Sequence, residues 1–133
     1  MDRGTVLQAL SGMEQYVVRL RQQDDETKRQ VNTLQASIAT AKQELDRMQH
    51  LERDQHIDEA GRLSAAADAA RCRSNISQME QALREREKQA VEFQSQIQTA
   101  QHLADELKTA EGYMHDYEQR AQRWVNEAYN MMR

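Results

Sequence analysis

Apolar residues recur at alternating steps of four and three along the first helix-length of this 133-residue chain. The series reads Val6, Leu10, Met13, Val17, Leu20, then Val31, Leu34, Ile38, Ala41, Leu45 and Met48. Only Asp24 and Thr27 interrupt it. Steps of four and three keep every listed side chain on one stripe of an α-helix, and such a stripe requires a partner helix to cover it. The chain contains no proline, where roughly 5% is ordinary. It therefore has no proline kink and no proline-marked domain boundary. Four glycines (Gly4, Gly12, Gly61 and Gly112) leave few places for the backbone to reverse.

Composition narrows the choice further. Phe, Trp and Tyr make up 5% of the residues, too few for the core of a globular domain this long. Charged residues at 30% would also suit a disordered chain. A disordered chain, however, has no reason to hold a heptad repeat, so periodicity decides for helix.

The expected fold is all-α, a long antiparallel two-helix coiled-coil hairpin forming a single domain over residues 1–133. Helix one is placed at about 5–57, the turn at about 58–64 and helix two at about 65–131. The turn is read from Asp58-Glu59-Ala60-Gly61-Arg62-Leu63-Ser64, with Gly61 in the left-handed conformation and Ser64 capping the second helix. Helix two opens in an alanine-rich stretch, Ala65 to Ala70, and its seam follows as Cys72, Ile76, Met79, Leu83, Ala90, Phe93, Ile97 and Ala100. Past Ala100 the stripe takes an extra step of three to Leu103, Leu107, Ala110, Met114, Tyr117, Ala121, Trp124, Ala128 and Met131, which reads as a stammer. Ala104 and Val125 also keep the first register going in part, so the apolar arc widens there. Gly112 lies inside this stretch and reads as a place for a bend. With Gly61 as pivot, Leu10 faces Met114, Ile38 faces Arg86, and Asp24 and Thr27 form either a buried polar layer or a wetted gap. Helix two is the longer and overhangs at its C-terminal end.

Several function classes are disfavoured. The net charge is −4 and the two signs are interleaved, with seven acidic and seven basic residues in 1–50, whereas a nucleic-acid binder shows a basic patch. No run of 18 apolar residues offers a membrane span. The opening Met1-Asp2-Arg3-Gly4 has no apolar signal core. Cys72 is the only cysteine, so an intrachain disulfide is impossible and a reducing, cytoplasmic location is expected. None of His50, His56, His102 and His115 has another His or Cys at helical ligand spacing, so no metal and no cofactor is expected. Phosphate-loop, nucleophile-elbow and dinucleotide motifs are lacking, and the chain is read as not an enzyme.

The C-terminal stretch carries the functional signal. Three of the four tyrosines and the only tryptophan lie between Tyr113 and Tyr129. Tyr, Trp, Met and Arg are the residues enriched where proteins bind proteins. Tyr113, Tyr117, Arg120, Trp124 and Tyr129 are therefore the candidate partner-binding residues. The competing reading packs these rings against Val17, Val18 and Leu20 of helix one. A basic membrane-surface helix is disfavoured, because residues 101–133 hold four basic and six acidic side chains.

A chain of this length, all helical, hairpin-folded, with a longer C-terminal arm and the cluster Tyr117 to Trp124 near its end, resembles the stalk proteins of type III secretion and flagellar export. The resemblance implies a shaft-like hairpin that joins a hexameric export ATPase to the export gate, and it implies no functional residue in particular. The same heptads suit a subunit of a eukaryotic coiled-coil complex (ciliary, kinetochore or tethering) or a self-associating structural rod. All of these are non-catalytic components of larger protein assemblies.

Overall fold

The computed structural model describes residues 2–133, which form two long helices packed against each other as an all-α hairpin. The first, α1, spans Arg3–Arg53, and the second, α2, spans Glu59–Met132. Both stay helical through their seam, consistent with a sequence that has no proline to interrupt them.

The reversal occurs earlier than glycine placement implies. It lies at residues 54–58, not 58–64, and two aspartates four apart bracket it. The Oδ1 of Asp54 accepts the His56 N–H at 2.9 Å, and Asp54 itself donates to the Leu51 carbonyl at 3.2 Å. Asp58 then caps α2: its Oδ1 accepts the Gly61 N–H at 2.7 Å, and its carbonyl accepts the Arg62 N–H at 3.0 Å. Aspartate is among the strongest N-capping residues, so it starts the helix six residues before Ser64 could. Gly61 consequently sits in the first turn of α2 with an ordinary negative φ, not in a left-handed cap.

Moving the turn moves the register. The contacts of the hairpin group into two compact units, each built from a stretch of both helices. The first comprises Met1–Gln23 with Phe93–Arg133. In it Val17 and Leu20 pack with Ile97 and Ala100, flanked by Met13 and Phe93. A pivot at Gly61 would instead have set Val17 against residues near 107, so the observed pairing is displaced by about one heptad. Along α2 the buried steps continue as Ile97, Ala100 and Ala104, then Leu107, Glu111 and Met114 half-buried. Ala104 is 3% exposed while Leu103 is 48% exposed, so the seam keeps its first register and has no stammer. Leu103 belongs to a flanking stripe. The helix also runs through Gly112 without interruption.

The second unit, Asp24–Glu92, contains the connector. Ile38 of α1 and Ala65, Ala69 and Ile76 of α2 are buried there. The Cys72 thiol donates to the Ala41 carbonyl at 3.2 Å, and Lys42 pairs with Glu80 at 3.4 Å. Asp24 and Thr27 are both buried, at 3% and 6% exposure, so these polar seam positions are inside the packing and not in a wetted gap. Lys28, one turn on, reaches the Asp24 Oδ2 at 2.9 Å and keeps a charge partner beside it.

The glycines test this arrangement. A Cβ at Gly12 or Gly112 meets nothing within 4 Å, whereas one at Gly61 falls 2.5 Å from Ile57 Cγ2 and 3.0 Å from Asp58 Oδ1. Gly12→Ala and Gly112→Ala should each raise unfolding stability by about 1 kcal/mol. Gly61→Ala should lower it by displacing Ile57 and the cap. Thermal denaturation of the three variants measures the contrast.

Candidate functional site

The site is built where the covered part of the first unit ends. Arg3 takes the seam position one step before Val6, so its side chain points into the helix pair and not away from it. Its Nε donates to Glu111 Oε1 at 2.7 Å and its Nη1 to Glu118 Oε2 at 3.3 Å. Glu111 and Glu118 are seven apart on α2, at equivalent seam positions. The hydrogen bond that Arg3 donates to Glu111, with the charges of Glu111 and Glu118, raises the Arg3 pKa above its ordinary value. An apolar seam thus closes in a three-member charge clamp, which is favourable at a wet end where solvation remains available.

Asp2 secures the start of α1. Its Oδ1 accepts the Thr5 backbone N–H at 2.8 Å and the Thr5 hydroxyl at 2.9 Å. The backbone bond, then the hydroxyl bond, hold the Asp2 carboxyl below its ordinary value of 3.8.

Beyond the clamp α2 continues without a covering helix. From residue 116 to 133 only Ala121 is even half-buried. The four-three steps nevertheless go on as Ala121, Val125, Ala128 and Met132, all apolar. Beside them runs a stripe seven residues apart: Tyr117, Trp124 and Met131, continuing from Leu103 and Ala110. Trp124 is 55% exposed, and its ring meets Tyr117 edge-on with centroids 6.3 Å apart and planes at 83°. The two rings, two turns apart, touch each other on one face of α2.

Of the candidate residues, Tyr113, Tyr117, Arg120 and Trp124 share one side of α2, and all are exposed. Tyr129 is exposed as well but projects from the opposite flank of the seam. Val17 and Leu20 do not cover the rings, since they are buried among Ile97 and Ala100, and Val18 is itself exposed. Tyr113, Met114 and Tyr117 also wall a shallow groove with Asp2, Arg3 and Glu118. In the second unit a separate apolar groove is lined by Leu34, Ala41, Met48, Cys72, Met79 and Ala82.

Two features escaped sequence reasoning. The Arg3 clamp joins residues more than 100 positions apart, and its only sequence signal is that charged residues stand at seam positions. The groove of the second unit follows from alanine and cysteine at successive seam positions, which leave space that larger side chains would fill. Among the described residues no group of three or more His, Cys, Asp or Glu could hold a metal ion. Among the same residues no helix is long and apolar enough to cross a membrane. What this surface offers chemically is an apolar and aromatic face on a preformed helix, suited to a second helix laid alongside.

No protein-family model matches the chain, and neither a curated protein nor a solved structure matches it.

The Asp2 cap gives a pH dependence with a defined sign. Its folded pKa is depressed, so the stabilisation is present above the unfolded value of 3.8 and is lost as pH falls through the lower folded value. The protection of the Thr5 amide, relative to its intrinsic exchange rate at each pH, should therefore fall on acidification below about pH 4. In Asp2→Ala that protection should already be low at neutral pH and should lose its acid dependence.

Proposed function

We propose that this chain is a non-catalytic component of a larger protein assembly and that it engages a partner helix through the exposed face of α2 from Tyr113 to Met132. One observation carries the reading: the apolar heptad register of α2 persists beyond the Arg3 clamp, where α1 no longer covers it. An apolar stripe carrying two exposed aromatic rings gains most of its free energy only when covered. Tyr117 and Trp124 serve as anchors, with Ala121 and Val125 as the floor between them. Arg120 and Tyr113 flank the anchors and fix orientation, while Tyr129 reaches whatever lies on the other flank.

The fuller form of the proposal is a stalk of the type III secretion kind, with a hexameric ATPase as the partner and a cytoplasmic location. What supports it is a hairpin whose second helix outruns its first and ends in an aromatic, arginine-containing face.

The test is capture on the tagged full chain, in its native host, alongside a Trp124→Ala variant. The expected result is recovery of a defined set of subunits, with a hexameric ATPase among them for the stalk form, and at least a tenfold loss with Trp124→Ala. Far-ultraviolet circular dichroism should be unchanged in that variant, because Trp124 covers nothing in the hairpin. Equal recovery by both proteins would contradict the reading.

A further inference from the structure

We propose that the occupant of the exposed α2 face is a second copy of this chain, paired antiparallel through residues 114–132. This rests on the reading of that face as a helix-docking surface and names what docks. The layers of the seam are self-complementary in that direction. An antiparallel pair sets each position of one type against a position of the other type, so Ala121 faces Val125 of the copy and Val125 faces Ala121. In the central layers a small side chain meets a larger one, which allows close approach without a void, and at each end Met114 meets Met132 of the copy. Glu118 then meets Ala128 of the copy and keeps its bond to Arg3. A parallel pair would set Glu118 against Glu118, with like charges in the seam.

Charge permits self-association. Residues 116–133 contain three acidic side chains, Asp116, Glu118 and Glu127, and three basic ones, Arg120, Arg123 and Arg133. The segment is neutral, so two copies do not repel each other. Direction is also favourable: the copy's α2 would run the same way as α1, and the seam that Arg3 closes would resume on a helix of the same polarity.

The area suffices for a specific contact. Tyr117, Trp124, Val125, Met131 and Met132 are all exposed large apolar residues. Aromatic side chains bury about 150–250 Å² each when fully covered; the partly exposed rings of both copies, with Val125, Met131 and Met132 of each, would together remove roughly 1,000 Å² from water, the threshold for a specific interface. The aromatic stripe of each copy would close over one edge of the pair.

Sedimentation equilibrium of the purified full chain is the first arm of the test. The expected species has twice the 15.5 kDa chain mass, falling to one chain mass in Val125→Asp with helicity retained. The second arm uses Cys72→Ala as background, with Ala121→Cys and Val125→Cys made separately. Oxidation should cross-link an equal mixture of the two proteins and neither one alone. A monomer at all concentrations would overturn the inference, as would a dimer that Val125→Asp leaves intact. Cross-linking of Ala121→Cys with itself would also overturn it, because it marks parallel pairing. If the chain is monomeric yet Trp124→Ala still loses capture, the docking face stands and only the occupant proposed here is wrong. If both results are negative, the docking reading fails with it.

Discussion

Where the chain turns back on itself governs everything else in this protein. Each helix carries a heptad stripe, and two stripes of that kind can pair in any register one heptad apart at nearly equal burial. The connector decides among them. Asp54 and Asp58 fix a five-residue reversal by accepting backbone N–H groups that no helix would otherwise satisfy. With α2 starting at Glu59, Val17 and Leu20 meet Ile97 and Ala100, and Cys72 meets Ala41. The same register brings Arg3 to Glu111 and Glu118, and it therefore sets the point where α2 loses its cover. The uncovered face of α2 is a consequence of turn chemistry far away in sequence.

The seam combines apolar and polar layers with different work to do. Val6, Val17, Leu20 and Ile38 remove area from water and supply most of the pairing energy. Asp24 and Thr27 lie inside the packing at positions where an aliphatic residue would be more stabilising, and a polar residue at such a position narrows the registers that fit. Cys72 and its alanine neighbours keep the second unit slim, and the groove from Leu34 to Met48 is the space they leave. No thick core exists, so stability is spread thinly along the helices and individual caps matter more than they would in a globular domain.

The fold class was legible because periodicity of four and three leaves only one way to hide the apolar stripe. The turn was not. Gly61 is a strong signal for a helix end, but a helix N-terminus tolerates glycine too, and a stronger cap at Asp58 claimed the position. That one misplacement propagated into the pairing of Leu10 and Ile38. The stammer is absent for a related reason: Leu103, Tyr117 and Trp124 are large and apolar, yet the smaller Ala104 is what α1 covers. In physical terms burial follows geometry first and side-chain bulk second. Composition alone singles out Tyr113, Tyr117 and Trp124, because aromatic residues so rare elsewhere in the chain gather there, and the structure adds that all three are exposed. The Arg3 clamp that delimits their face needed coordinates.

The central claim is the register, and Cys72 makes it directly measurable. Single cysteines placed along α1 from Ala41 to Arg53 can be oxidised against the native Cys72, since a disulfide forms only when the two Cα atoms lie within about 7 Å. The structure predicts that cross-linking peaks between Ala41 and Leu45, next to the carbonyl that the Cys72 thiol already contacts. A peak between His50 and Arg53 would place the turn at Gly61 and contradict the account.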